Sequence, residues 1–302
     1  MSIILIVTML IAAGLGPIGR VADSLASKVA QISWHKPTNQ HSMAMGPATL
    51  TAVPSAKPYN IQAESGAIMD STTGSIVASK QPHQRLEPAS LTKLMTAIVI
   101  MNRHQPDEIV TIQQSFSADQ TDAQALGLRV GQQFRLEDIM KMLLIYSAND
   151  AAEALAIYDA GSKEAFVARM NEHAKQLGLN DTHFENPTGL DQSGHVSSVA
   201  DLATMSRVLL QNPRFREIIK TPKTTVKSLG GTPYSFTSTN QLLAYPYIIG
   251  LKTGKTGQAG ECLITLSAKD GHEIITVVLN SPNRFQESKN MVDWAFANLV
   301  WK

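Results

Sequence analysis

Three short motifs in this 302-residue chain combine hydroxyls, amines and an amide in patterns that could carry nucleophilic chemistry: Ser90-Leu91-Thr92-Lys93, Ser147-Ala148-Asn149 and Lys252-Thr253-Gly254. On a helix, a three-residue step returns to the same face, so the Lys93 amine would lie against the Ser90 hydroxyl. A lysine accepts a proton only when it is itself uncharged. That requires burial or a neighbouring cation, and Lys252 is a candidate for that neighbour. The chemistry of such a pair is attack by the serine on a carbonyl, with an ester on Ser90 as the intermediate.

Each motif has decoys, and context separates them. Ser33-Trp34-His35-Lys36 repeats the first spacing, but it lies in a stretch without periodicity, where no rigid element could hold a nucleophile in place. Ser238-Thr239-Asn240 and Ser288-Lys289-Asn290 repeat the second, and Lys255-Thr256-Gly257 repeats the third. Ser90, by contrast, follows Pro88-Ala89 and opens a run of apolar residues (Leu94, Met95, Ala97, Ile98) at helical spacing. Its hydroxyl would therefore sit at a helix N-terminus, where backbone N–H groups and the helix dipole favour developing negative charge.

The elements that must position these residues follow from periodicity. Ser65–Met69 and Ser75–Ser79 read as two strands around the turn Asp70-Ser71-Thr72-Thr73-Gly74. From Leu91 to about Ile219 the apolar residues recur at helical spacing, as in Leu136, Ile139, Met140, Leu143 and Leu144. Ser198-Val199-Ala200-Asp201 has the form of a capping box before another helix. Strand-like runs return at Thr224–Val226, Ile248–Lys252, Cys262–Ala268 and Glu273–Leu279, with Lys269-Asp270-Gly271 as a turn, and 285–301 reads as a closing amphipathic helix. Strands at both ends of the chain enclosing a large helical insert predict an α+β fold with one antiparallel sheet flanked by helices.

Ile3–Ala13 is nearly all apolar and the character persists to Ile18. This is shorter than the roughly 20 residues of a membrane span and suits a signal-peptide core or an N-terminal anchor over residues 1–20. Residues 21–58, rich in Ser, Ala, Pro, His and Gln, read as a flexible linker, and the globular domain is expected over 59–302. A net charge of +1, with no basic run interleaved with aromatics, speaks against a nucleic-acid partner. The single cysteine, Cys262, leaves no intramolecular disulfide and no cysteine cluster for zinc.

Beyond the triplets, Glu87-Pro88-Ala89-Ser90-Leu91-Thr92-Lys93-Leu94-Met95-Thr96-Ala97 resembles the nucleophile segment of low-molecular-mass penicillin-binding proteins of the D-Ala-D-Ala carboxypeptidase type. Tyr146 to Ala152 and Gly250 to Gly260 resemble that family's second and third motifs, and Asp181-Thr182-His183-Phe184, Asn186 to Asp191 and Gly194 to Ser198 extend the similarity over roughly residues 59–302. In the family pattern the third triplet follows Gly and an aliphatic residue, which selects Lys252 over Lys255.

The resemblance implies a DD-peptidase/β-lactamase-like fold and a serine carboxypeptidase that removes the terminal D-alanine of peptidoglycan stem peptides through an acyl-enzyme on Ser90. It implies Lys93 as base and Ser147 as proton relay. Asn149 would hold the substrate backbone, Lys252 with Thr253 would meet its terminal carboxylate, and Gly254 would leave room for the substrate strand. The N–H groups of Ser90 and Lys255 would form the oxyanion hole. It implies β-lactams as covalent inhibitors, an extracytoplasmic location, attachment to the membrane through the N-terminal segment, and neither metal nor organic cofactor. His195 and Cys262 read as structural, and Trp294 and Trp301 as packing of the last helix. The alternatives are a DD-endopeptidase, a β-lactamase with Glu185 as the one acidic residue near the corresponding loop, and a non-catalytic peptidoglycan-binding protein.

Overall fold

A computed structural model describes residues 50–52, 58–116 and 124–301. The apolar N-terminal segment, most of the linker and the Ser33 decoy lie outside these residues. In chain order the elements begin with β1 (Leu50–Ala52), β2 (Ser65–Asp70) and β3 (Ile76–Lys80), then a 3₁₀ turn at Ala89–Thr92 running into helix α1 (Lys93–Arg103). Strands β4 (Ile109–Thr111) and β5 (Gln133–Arg135), helix α2 (Leu136–Lys141), a π-turn at Met142–Tyr146, and helices α3 (Asn149–Ala160), α4 (Lys163–Gln176), α5 (Val199–Leu209) and α6 (Pro213–Ile219) make up the insert. The chain closes with β6 (Lys223–Lys227), β7 (Pro233–Thr237), β8 (Ile248–Thr256), β9 (Gly260–Lys269), β10 (His272–Ser281), α7 (Arg284–Asn298) and β11 (Leu299–Trp301).

Five strands form an antiparallel sheet in the order β3-β2-β10-β9-β8, so the first and last thirds of the domain meet at the β2–β10 pairing. Alternation sorts the sheet's side chains to two cores. Ala67, Met69, Ile264, Ile275 and Val277 face the helical insert, while Ile68, Leu263, Ile274 and Val278 join Met291, Val292 and Ala295 of α7. Because both faces are covered, β9 and β10 read as nearly unbroken apolar runs. One polar exception, Thr265 beside Thr276, is a cross-strand hydroxyl pair.

Helix starts follow the capping residues. Ser162, Ser198, Asn212 and Asn283 each accept a backbone N–H of the first turn they precede. Only half of the capping box expected at Ser198 forms: its Oγ accepts the Asp201 N–H, but the Asp201 carboxylate turns to Asp181 N and Thr182 Oγ1 instead.

Five strands and the end of the last helix depart from the reading of the sequence. The last helix ends at Asn298, not at Trp301, and residues 299–301 pair instead with β1, inside the stretch read as linker. Trp301 thus belongs to a strand, where its indole donates to Asp70 Oδ2 and its ring stacks on His272. The helical middle contains a strand pair, β4 with β5, and β7 pairs with β6 as an added hairpin arm. Three-residue strands carry too short a pattern to be told from loop.

Candidate functional site

The Ser90 segment is bent before it is helical. Ala89 has φ +48°, in the left-handed region that a residue with a Cβ rarely occupies, and Ser90 lies in the 3₁₀ turn, with the α-helix beginning three residues later at Lys93. The backbone is held there from two sides. A Cβ on Gly189 would come within 1.9 Å of the Ala89 carbonyl oxygen, and one on Gly254 within 3.1 Å of Ala89 Cβ and Pro88 O and 3.2 Å of Ser90 N. A Cβ on Gly254 would thus crowd the Ser90 segment packed on β8, a reason for the bare Cα besides the approach of a substrate strand expected from the sequence.

Lys93 is wholly buried, and its Nζ lies 2.9 Å from Ser90 Oγ, 2.6 Å from Asn149 Oδ1 and 2.7 Å from the Thr188 carbonyl oxygen. Burial, and secondarily the positive charge of Lys252, holds this amine well below the usual lysine range. The geometry suits the neutral form. An uncharged amine has two N–H groups, which the Asn149 and Thr188 oxygens accept, and one lone pair, which is left facing the Ser90 hydroxyl.

The second motif stands where the π-turn ends. Ser147 has φ +70°, again strained for a residue with a side chain, and its Oγ accepts a hydrogen bond of 2.8 Å from Lys252 Nζ. Lys252, 1% exposed, also donates to the Thr253 carbonyl; burial first, then the nearby Arg284 guanidinium, brings its pKa down to about 7. Thr253 Oγ1 is 2.6 Å from Thr239 Oγ1. All three motifs are thus joined by direct contacts: Ser90 to Lys93 to Asn149, and Ser147 to Lys252.

Strand alternation separates the two Lys-Thr-Gly triplets. Lys252 points inward, whereas the Lys255 side chain is 61% exposed and reaches Glu261 at 3.5 Å, so only its backbone stays at the site. β8 is the sheet's edge strand, open to receive an extended peptide alongside it. Between β8 and the insert lies a cleft of about 550 Å³ lined by Ser90, Ser147, Asn149, Thr253, Gly254 and Lys255, together with residues that the sequence did not mark as part of a site.

Foremost among these is Arg284, the first residue of α7, whose Nη1 donates to the Gly254 carbonyl at 2.6 Å. Thr239, Gln124, Leu190 and Thr256 complete the wall. Thr239 comes from a decoy triplet: its neighbour Asn240 caps the 3₁₀ turn at Gln241–Ala244 instead of entering the cleft. The loop 186–191 is the clasp of the site. Its Thr188 carbonyl meets Lys93, its Pro187 carbonyl accepts Thr96 Oγ1, Gly189 covers Ala89, and Asp191 accepts Thr256 Oγ1 and the Gln258 N–H at the end of β8. Cys262 is buried in β9, its thiol pushed up to about 12 by desolvation, and is no nucleophile at neutral pH.

The family model described as D-alanyl-D-alanine carboxypeptidase, peptidase S11, matches residues 51–283. Curated relatives include D-alanyl-D-alanine carboxypeptidase DacF of Bacillus subtilis, 35% identical over 244 residues covering 78% of this chain and 62% of that protein. DacD of Escherichia coli is 36% identical over 261 residues, covering 82% and 66%. The chain therefore spans somewhat less than two thirds of the length of these relatives. Among solved structures, penicillin-binding protein 6B from Escherichia coli superposes with a TM-score of 0.74 at 34% identity, covering 83% of this chain and 82% of that one. The Streptomyces K15 DD-transpeptidase does so at 0.73 and 28%, covering 80% and 100%.

Proposed function

This chain belongs to the peptidase S11 family of D-alanyl-D-alanine carboxypeptidases, and from that premise we propose that it is a serine carboxypeptidase acting on peptidoglycan stem peptides that end in D-Ala-D-Ala. The observation that carries the reading is the buried Lys93 amine, with two oxygens taking its N–H groups and its remaining valence toward Ser90 Oγ. Lys93 takes the Ser90 proton as Oγ bonds to the carbonyl carbon between the two D-alanines. The N–H groups of Ser90 and Lys255 receive the charge that develops on the carbonyl oxygen. Ser147, held by Lys252, relays to the departing amine the proton that Lys93 took, as the C–N bond breaks, and free D-alanine leaves. Water then attacks the ester, releasing the shortened peptide and restoring the Ser90 hydroxyl.

Thr253 and Arg284, which line the cleft, and the buried Lys252 joined to Ser147 offer a hydroxyl and positive charge for the substrate's terminal carboxylate, and Asn149 is in reach of its backbone. β-Lactams, which present a strained amide beside a carboxylate, are the corresponding covalent inhibitors. Glu185 pairs with His183 Nε2 at 3.1 Å and does not line the cleft, which favours a peptidase over a β-lactamase with a glutamate-activated water. The substrate places the enzyme outside the cytoplasm, with the apolar N-terminal segment as signal or tether and residues up to the first strands as linker. Among the described residues no helix is long and apolar enough to cross a membrane.

The test is incubation of the full chain with a fluorescent penicillin and, separately, with a diacyl-Lys-D-Ala-D-Ala peptide. A slowly released adduct and free D-alanine, both lost in Ser90→Ala, are the expected results. Rapid destruction of the penicillin would point to a β-lactamase, and no adduct at all to a binding protein.

A further inference from the structure

His195, although it lies outside the cleft, ends a chain of hydrogen bonds that runs to the nucleophile. The ring is 2% exposed and packs edge-on against Phe184. Its Nε2 is 2.7 Å from Thr92 Oγ1, and Thr92 Oγ1 donates to the Ala89 carbonyl at 2.8 Å. A hydroxyl has one proton, and here it is spent on Ala89, so Thr92 accepts from His195 and Nε2 carries the hydrogen. The other ring nitrogen agrees: Nδ1 accepts the Glu185 N–H at 3.1 Å and must be bare. Both contacts therefore select the neutral Nε2–H tautomer. Burial, with the nearby His183 second, holds the ring's pKa at about 4, in keeping with that form.

The far end of this chain gives it a consequence for chemistry. The Ala89 carbonyl and the Ser90 N–H are the two ends of one peptide group. A hydrogen bond accepted at the oxygen polarises the N–H and fixes the plane in which it points. That plane needs fixing, because Ala89 sits at φ +48°. Gly189 closes one side of the carbonyl, and Thr92 supplies its hydrogen bond.

We propose that His195, acting through Thr92, is a positioning residue that orients the Ala89–Ser90 peptide group so that the Ser90 N–H meets the oxyanion, and thereby sets the rate of acylation without touching substrate. This rests on Ser90 being the acyl-forming serine. His195 and Thr92 lie 103 residues apart, and Thr92 is an interior position of the Ser90–Lys93 motif, the last residue of the 3₁₀ turn immediately before α1.

The experiment measures acylation of the full chain by a fluorescent penicillin, resolved into a first-order rate and a non-covalent affinity, with folding followed by circular dichroism. Thr92→Val is expected to slow the first-order step by about 10- to 100-fold, short of the roughly 10²–10³ lost when an oxyanion donor is removed outright, and to leave affinity within about twofold. Thr92→Ser, which keeps the hydroxyl, is expected to stay within about threefold of wild type. His195→Ala is expected to slow the same step, and Thr92→Val/His195→Ala to be no slower than Thr92→Val alone, since one chain is cut once. Wild-type acylation in Thr92→Val, losses that multiply in the double variant, or a loss confined to affinity would each overturn the proposal. Should Thr92→Val fail to fold, His195→Gln decides: it keeps a donor toward Thr92 and is expected to recover most of the rate lost in His195→Ala, and equal loss in both overturns the inference. Absence of any adduct on wild-type Ser90 would instead overturn the reading of the enzyme itself.

Discussion

Helix α1 begins at Lys93, whose buried amine meets a hydroxyl and two carbonyl oxygens, and ends at Arg103, which with His104 and Arg169 encloses the covered carboxylate of Asp159. At the C-terminal end charge meets opposite charge. The ring of hydrogen bonds from His104, Arg103 and Arg169 holds the Asp159 carboxyl below its ordinary value against the opposing effect of burial. Glu108, accepting from the Gln105 N–H, Tyr158 and His104, is held at about 2. At the N-terminal end, by contrast, the charged neighbour that depresses Lys93 is another cation, Lys252. One end of the helix uses its polar groups to hold elements together, and the other keeps an amine in the form that can do chemistry, at some expense in stability.

Changes at the two ends should therefore separate activity from folding. The largest effect is expected from Lys93→Met, which should lower penicillin acylation and D-alanine release by roughly 10³- to 10⁴-fold. Its cost in stability, from leaving the Asn149 and Thr188 oxygens without a donor, should be only about 1–3 kcal/mol. A variant that folds normally yet still acylates at a tenth of the wild-type rate would break the assignment of Lys93 as base. Next, Asp159→Ala, which strands Arg103, Arg169 and His104 around a lost carboxylate, is expected to cost about 2–4 kcal/mol in chemical denaturation while leaving the acylation rate of the folded enzyme unchanged. Loss of activity without loss of stability would reverse the comparison.

The two ends should also answer pH with opposite signs. Asp159 and Glu108 have folded values below their unfolded ones, so their contribution is complete above about pH 4 and is lost as the pH falls toward 2. Lys252 is also depressed, but as a base: between about pH 7 and about 10.4 the unfolded chain holds more protons, so this residue's contribution to stability grows as the pH rises. Over the same window its charge is lost in the free enzyme, and the second-order acylation rate should fall by up to about tenfold per unit as the carboxylate loses its partner. On the acid side, acylation should fall as Lys93 gains a proton, on a limb well below pH 10.5. A flat profile from pH 6 to 9 would contradict the environment described for Lys252. The smallest effect belongs to Arg103→Ala. This half-exposed partner leaves Asp159 with two others, so the loss should be about 0.5 kcal/mol in denaturation, and activity should not change.

How much of this was legible depends on the range of the interaction that decides each feature. The β2–β3 hairpin, the Ser198 cap and the proximity of Ser90 to Lys93 rest on residues a few positions apart, and their spacing suffices to read them. The pairing of β1 with β11 joins residues about 250 apart through three-residue strands, with no periodicity to betray it. Arg284 lies 30 residues beyond Gly254 and reaches the cleft only because α7 starts where β10 delivers it. His195 in sequence is an isolated ring before a helix; its meaning comes from a contact 103 residues away.

The amino-acid sequence by itself determined which side chains could act and the class of chemistry they could perform, because type and short spacing set what a hydroxyl, an amine and an amide can do once they meet. It also put Lys252 and Lys255 on opposite faces of one strand, since a strand's period of two is a property of the backbone, but left it to the fold which of them turns inward. Only the tertiary structure decided that the three motifs touch, that Lys93 is dry and faced by Lys252, and that Gly189, Thr92 and His195 hold Ala89 in a left-handed turn. The physical reason is that desolvation, field and steric support depend on all that surrounds a group, most of which comes from residues far away along the chain.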